Sequence, residues 1–232
     1  MIRLYFYVEG RTEQEYVDSV LKDHLAPFEV YVMGAILVSH GQRGGVVHRG
    51  GGGRYAPVKR DLLNLLKRHR QPEVRFTSML DLYALATDFP GRPDADRLRH
   101  LPRDRVEALE TAFAADIGDG RFLPHVQLHE FETILLCDPG AFATEYLTHD
   151  KEIEQLRQLV SAFGSPEEID DGPNTAPSKR IEALFPGYPR QKATVGVTIA
   201  SLIPLATVRQ CCLHFDAWIT RLENLGAATE QE

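Results

Sequence analysis

The amino-acid sequence predicts an α/β fold: a mostly parallel sheet flanked by helices, with a helical C-terminal extension. Three observations predict it. Apolar runs of strand length fall at 2–8, 30–38, 74–82 and 122–128. Stretches of helical periodicity separate them, and such alternation favours parallel strands joined by crossover helices. Beyond about residue 136 only helical periodicity remains, so the expected division is an α/β core over 1–136 and a helical part over 137–232 packed on it.

Each element has a local reason. Ile2, Leu4, Phe6 and Val8 alternate with Arg3, Tyr5 and Tyr7. The intervening residues are mostly aromatic, so both faces can be buried, as in a central strand. Thr12 and Glu15 have the Ser/Thr-x-x-Glu spacing of a capping box. The helix behind them carries Tyr16, Val17, Val20, Leu21 and Leu25 on one side and stops before Pro27. After the strand at 30–38 comes a glycine-rich segment, His40 to Tyr55, then an amphipathic helix over 58–70 with Leu62, Leu63, Leu65 and Leu66 inward. The strand at 74–82 leads to a turn at Asp88-Phe-Pro-Gly91. Asp104 and Glu107 offer a second cap, for a helix running to Asp116 with Gly118 as its stop. The strand at 122–128 is interrupted early by Pro124 and closed by His129 and Glu130. Further helices are expected at 132–136, 141–147, 151–163, 178–185, 191–203 and 205–225, the last stopped by Gly226.

Composition bounds the function. At 43% hydrophobic over 232 residues the chain can bury a substantial core, which excludes a disordered protein. A net charge of −7 excludes a generally basic nucleic-acid binder, so any such contact needs a local basic patch or a bound cation. The 3 cysteines form no C-x-x-C pair, which fits a reducing compartment and argues against a disulfide framework or a Cys-rich zinc site. Arg3 and Glu9 interrupt the first apolar stretch, so no signal peptide is expected. No segment reaches the roughly 18 apolar residues of a membrane span. A cytoplasmic protein without membrane contact is the expectation.

Glu9, Asp81 and Glu130 fall at or just past the C-terminal ends of three of these strands. Ligands of open α/β sheets gather at that edge. Hard divalent cations such as Mg²⁺ take oxygen ligands and keep several waters. Phosphodiester hydrolysis uses such ions to generate hydroxide and to stabilise the leaving oxygen. Each acid alone also fits a surface or capping carboxylate; their shared placement favours a metal site. Glu13, Asp88 and Glu132 form a second tier. Glu13 lies in a first helical turn, where the dipole favours negative charge. Asp88 can serve as a turn initiator. Glu132 shares a face with Glu130 if the strand continues and diverges from it if a helix begins.

Five segments carry a family resemblance: Val8-Glu-Gly-Arg-Thr-Glu13; Leu80-Asp-Leu-Tyr83 with Asp88-Phe-Pro-Gly91; Gln127-Leu-His-Glu-Phe-Glu132; Pro177-Ser-Lys-Arg-Ile-Glu182; and Cys212-Leu-His-Phe-Asp-Ala-Trp218. Together they resemble a bacterial TOPRIM-like family of unassigned function, over nearly the whole chain. The resemblance implies a TOPRIM-like core, a Mg²⁺ (or Mn²⁺) site, and an effector working beside an AAA- or ABC-type ATPase in phage defence. The TOPRIM pattern is a Glu after one strand and Asp-x-Asp after a later one. The Glu matches Glu9 and the first Asp matches Asp81, but the second falls on Tyr83. Tyrosine is a poor ligand for Mg²⁺, so Asp88 or Glu130 would replace the missing carboxylate, or the site would have lost catalysis.

Basic residues supply phosphate contacts in this reading. Arg43, Arg49 and Arg54 stand in the glycine-rich segment with His40 and His48, and Arg11 follows Glu9. Guanidinium groups there suit phosphates, although the segment is no P-loop, because no Gly-Lys-Ser/Thr follows it. A plain surface insertion fits it equally. Lys179 and Arg180, behind Ser178, read as phosphate contacts or as a solvated first turn, and Arg190 and Lys192 are open to the same two readings. His125 and His129 have the i,i+4 spacing of zinc ligands on a helix. On a strand they stand about 13 Å apart, so a shared zinc is not expected. His129 can still act near a metal as an acid or phosphate ligand. Cys211, Cys212, His214 and Trp218 read as ordinary helical core. The expected function is a Mg²⁺-dependent nuclease acting on DNA or RNA, with Glu9, Asp81 and Glu130 catalytic. The alternatives are a non-catalytic interaction module of an ATPase complex, and metal-dependent transfer of a nucleotide or phosphoryl group.

Overall fold

A computed structural model describes residues 1–38, 54–169, 172 and 174–227. Arg43, Arg49, His40 and His48 lie outside the described residues. The strands are β1 (Ile2–Val8), β2 (Val30–Leu37), β3 (Val74–Asp81), β4 (Phe122–Leu123) and β5 (Val126–Gln127). They form a sheet in the order β2-β1-β3-β4, with β5 pairing the end of β3. Every pairing is parallel. The fold is thus mixed α/β, with a parallel sheet flanked by helices.

α1 (Arg11–Tyr16) continues through a π-helical turn, Val17–Leu21, into α2 (Lys22–Leu25), and this crossover joins β1 to β2. α3 (Tyr55–Arg68) joins β2 to β3, and α4 (Arg92–Ala95) with α5 (Pro102–Ile117) joins β3 to β4. The rest of the chain is helical: α6 (Glu132–Leu135), α7 (Asp150–Ser161), α8 (Pro177–Leu184), α9 (Tyr188–Gln191), α10 (Val197–Leu202), α11 (Leu205–Cys211) and α12 (Leu213–Glu223).

The two faces of β1 enter two apolar clusters. Ile2, Leu4, Phe6 and Val8 pack with Tyr16 and Leu21 and with Phe131, Ile199, Phe215 and Trp218 of the later helices. Tyr5 and Tyr7 turn the other way, with Phe76, Leu62, Leu66, Leu109 and Phe113. Trp218 Nε1 donates to Thr77 Oγ1 at 2.8 Å, which fixes α12 against the middle of β3.

Several local expectations are corrected. The first helix is capped at Gly10, whose N–H donates to Glu13 Oε2 at 2.8 Å, and not by Thr12 with Glu15. α5 begins at Pro102 behind Leu101, so Asp104 lies inside the first turn and caps nothing. Proline suits that position because its missing N–H would have no helical partner. The strand expected over 122–128 splits around Pro124 and His125. His125 instead exchanges backbone hydrogen bonds with Ser78 Oγ, both at 3.0 Å. The helix expected over 205–225 breaks at Cys212. The segment expected as a helix at 141–147 is a 3-10 turn over Pro139–Thr144. The one expected at 191–203 divides into α9, a π-helical turn over Lys192–Gly196, and α10. Gly118, at φ 67°, ends α5 as anticipated. Among the described residues no single helix is long and apolar enough to cross a membrane.

Candidate functional site

The chain leaves β1 for β2 on one side and returns to β3 on the other side of β1. The crevice between the C-terminal ends of β1 and β3 is therefore a topological switch point, where open α/β sheets bind ligands. Glu9 directly follows β1, and Asp81 is the last residue of β3. The Asp81 N–H donates to Glu9 Oε2 at 3.1 Å. Glu13, in the first turn of α1, is buried beside them.

Glu130 and Glu132 reach the same crevice from β5. His129 adopts a left-handed conformation, φ 62°, which reverses the chain between β5 and α6. Such a backbone is uncommon for a residue with a side chain. Its ring is spent on structure, with Nε2 2.9 Å from the Glu167 carbonyl. Glu130 Oε1 accepts from the Ser178 N–H in the first turn of α8, at 2.5 Å. Glu132, 0% exposed, begins α6. The strand has ended by then, yet both acids stay buried at this end of the sheet. Glu132 Oε1 accepts from Tyr188 Oη at 2.9 Å and pairs with Lys192 Nζ at 2.9 Å.

These groups act on one another electrostatically. Burial raises the Glu9 carboxyl to about 7, assisted by the charge of Glu13. Burial, then Glu9 and Glu13, hold Asp81 well above the usual carboxylate range. Glu13 is raised by burial, with Glu132 adding to the shift. Glu130 is raised by burial and then by Glu132. Burial opposes the charge on Lys192, but Glu132, Asp81 and Glu130 outweigh it and the ammonium is held charged. Two carboxylate oxygens in this cluster, Asp81 Oδ1 and Glu132 Oε2, are buried with no hydrogen-bond partner among the described residues. Excess negative charge and orphaned oxygens are the environment a hard cation relieves. Among the described residues, however, no three of these acids bring ligand atoms within 4.8 Å of one another, so an ion here would be held in part through its own waters.

Lys192, which the sequence left open between a phosphate contact and a solvated residue, is half-buried against this cluster. It opens the π-helical turn Lys192–Gly196, and π-turns recur at functional sites. Gly196 leaves room for this arrangement, since a Cβ there would stand 2.9 Å from Tyr188 Oη, the donor to Glu132.

Other expected residues lie elsewhere or are engaged locally. Asp88 accepts from the Tyr55 N–H at 2.8 Å and so holds the start of α3. Arg180 Nε donates to the Thr175 carbonyl at 2.7 Å, and its guanidinium covers the Phe163 ring. Lys179 is exposed and pairs with Glu182 at 2.6 Å, and the charge of Glu130 also bears on it. Tyr83 is 44% exposed. Arg11 and Arg54 are exposed at the starts of α1 and α3. A second buried polar cluster was unforeseen in the sequence: among the described residues, one trio brings three ligand atoms of His, Cys, Asp or Glu within 4.8 Å of one another, and it is Glu110, His125 and His214.

Comparison with known proteins places the chain by family. No curated protein matches the sequence. The C-terminal region of the Xanthomonas campestris pv. campestris OLD protein is similar at 14% identity and a TM-score of 0.44, over 99% of this chain and 96% of that one. The C-terminal region of the Burkholderia pseudomallei OLD protein is similar at 14% identity and a TM-score of 0.45, over 96% of this chain and 98% of that one. The family model described as a domain of unknown function, DUF4276, matches residues 8–223, and the chain belongs to that family.

Proposed function

We propose that this chain is a metal-dependent nuclease with a TOPRIM-like core, using Mg²⁺ or Mn²⁺ to hydrolyse phosphodiester bonds of DNA or RNA. The observation that carries the reading is the pairing of Glu9 with Asp81 across the switch point, inside a buried cluster that holds more acid than Lys192 neutralises. A bound cation there supplies an activated water and stabilises a leaving oxygen. Glu9 and Asp81 would ligate it, and Glu130, held by the Ser178 N–H, would complete the shell or orient the water. Glu13 and Glu132 set the field around them. Lys192, fixed by Glu132, presents a charged ammonium to a phosphate oxygen. Arg11, Lys179 and Arg54 are exposed cations for the backbone of a nucleic acid, with Arg43 and Arg49 of the glycine-rich segment, which lie outside the described residues, as further proposed contacts. The proposed setting is cytoplasmic, as effector beside an AAA- or ABC-type ATPase in phage defence. The ATPase and the defence role rest on the resemblance of the sequence motifs.

The test is cleavage of mixed DNA and RNA substrates with Mg²⁺ or Mn²⁺, wild type beside Glu9→Ala and Asp81→Ala. Cleavage by wild type and none by either variant, with unchanged circular dichroism, is the expected result. Full metal-dependent activity in both variants overturns the site assignment.

A second reading is favoured by Tyr83. It stands where the TOPRIM pattern has its second Asp, and Asp88, the nearest substitute in sequence, is engaged at the start of α3. In that reading the chain is a non-catalytic module that binds its ATPase. No cleavage and no metal-dependent melting shift would select it.

A further inference from the structure

Glu110, His125 and His214 come together from three separate elements. Glu110 lies in α5, His125 in the link between β4 and β5, and His214 in the first turn of α12. All three are buried, His125 to 1% and His214 to 5% exposure. None of them belongs to the acidic cluster at the switch point.

The geometry around one oxygen is unusual. Glu110 Oε1 lies 3.0 Å from His214 Nε2 and 3.5 Å from His125 Nδ1, and it also accepts from the Val126 N–H at 2.8 Å. A carboxylate oxygen has two lone pairs, so three nitrogens converge on an acceptor that serves two. His125 Nδ1 is left buried without a hydrogen-bond partner among the described residues, and so is His214 Nδ1. Protons on Nδ1 of His125 and Nε2 of His214 would both crowd this oxygen beside the Val126 N–H. A cation between the carboxylate and the two rings satisfies both.

The surroundings hold the rings in place. His125 stacks on Trp218, with centroids 4.0 Å apart and planes at 4°, and its ring centroid lies 4.8 Å from that of His214 with planes at 19°. Its Nε2 faces Gln127 Oε1 at 3.4 Å. The Glu167 carboxylate accepts from the His214 and Phe215 N–H groups, which anchors the turn that carries His214. Ligating imidazoles ordinarily have their second nitrogen, and ligating carboxylates their free lone pairs, oriented by such partners. Gln127 does this for His125, and the Val126 N–H does it for Glu110.

We propose that Glu110, His125 and His214 form a binding site for a borderline divalent cation, with Zn²⁺ the best match, which clasps α5, the β4–β5 link and α12 together. Two imidazole nitrogens and one carboxylate oxygen are a zinc donor set, with a water in the fourth position. The same set is poor for Mg²⁺, which takes oxygen ligands. The inference is independent of the nuclease reading, because it uses none of the acids of the switch point.

The experiment strips the full chain with a chelator and then titrates it with Co²⁺, read by its visible d–d absorption, and with Zn²⁺, read by competition with a chromogenic chelator. One equivalent bound with tetrahedral Co²⁺ bands and a raised melting temperature is expected. Glu110→Gln and His214→Gln should each weaken binding by more than the ~10–100-fold that loss of an outer partner costs. Glu9→Gln and Asp81→Asn should leave it unchanged. Absence of Co²⁺ bands and of any melting shift in wild type overturns the proposal without touching the acidic site, and it needs no variant to fold. Binding that survives in both ligand variants, or that is lost in Glu9→Gln or Asp81→Asn, overturns it by placing the ion elsewhere.

Discussion

Glu9 carries a pH signature that can be worked out before any activity is known. Its carboxyl is raised from 4.5 to about 7, by burial first and then by Glu13. The folded state therefore favours the protonated form. The stabilisation this gives is complete below about pH 4.5 and is lost as pH rises through about 7. Asp81 acts in the same direction. The metal-free protein should lose melting temperature across this window, Glu9→Gln should flatten the loss, and Mg²⁺ should restore stability above pH 7 by binding the ionised cluster. An unchanged slope in Glu9→Gln would remove Glu9 from the coupled group. The main acids were legible in the sequence because a strand end is recognisable from its apolar run, and the residue after it is then known. Lys192 was not. Its role comes from Glu132, sixty residues away in sequence, and a lysine ahead of an apolar helix looks the same whether it faces water or a carboxylate. Asp88 and Arg180 show the converse. Both stand in conspicuous motifs, yet neighbouring backbone groups use their side chains.

Strands and crossover helices could be read from periodicity alone, since β1 and β3 need only alternate or run apolar to be buried on both faces. The ends and breaks of elements could not. A single residue separates α11 from α12, and no Ser, Thr, Asp or Asn stands at the N-cap of α12, which is that residue, Cys212. The cap is instead Glu167, forty-seven residues before His214, whose carboxylate takes the N–H groups of His214 and Phe215. Tertiary capping of this kind leaves no local mark. Removing it strands two buried donors near a helix start, at roughly 1–3 kcal/mol. Glu167→Ala should thus lower the melting temperature by several degrees. Glu168→Ala, which removes only an exposed contact to the Gly164 N–H, should fall within about 0.5 kcal/mol of wild type. Equal behaviour of the two variants in thermal melts would refute the capping role.

The two halves expected from the sequence meet along the first strand. Ile2, Leu4, Phe6 and Val8 share one cluster with Ile199, Phe215, Trp218 and Leu222, while the opposite face of the sheet is covered by α3 and α5. Sequence periodicity shows that a strand has two apolar faces but not which later segment covers each, so the dependence of the core on α12 had to come from the structure. This dependence bears on the candidate site as well. Glu130 is held by the start of α8, and Glu132 by Tyr188 and Lys192, so the acids of the first half are positioned by groups of the second. Residues 1–136 expressed alone would lose the share of this cluster that Ile199, Phe215, Trp218 and Leu222 supply and expose what they cover, at about 25 cal/mol per Å² of apolar surface. Small domains have only about 5–15 kcal/mol of net stability to lose. The fragment should therefore keep some secondary structure but show no cooperative melt, while full-length Trp218→Ala should still melt cooperatively, about 3–5 kcal/mol weaker. A sharp calorimetric transition in the isolated fragment would show instead that the first half folds by itself and that the helical part is a separable addition.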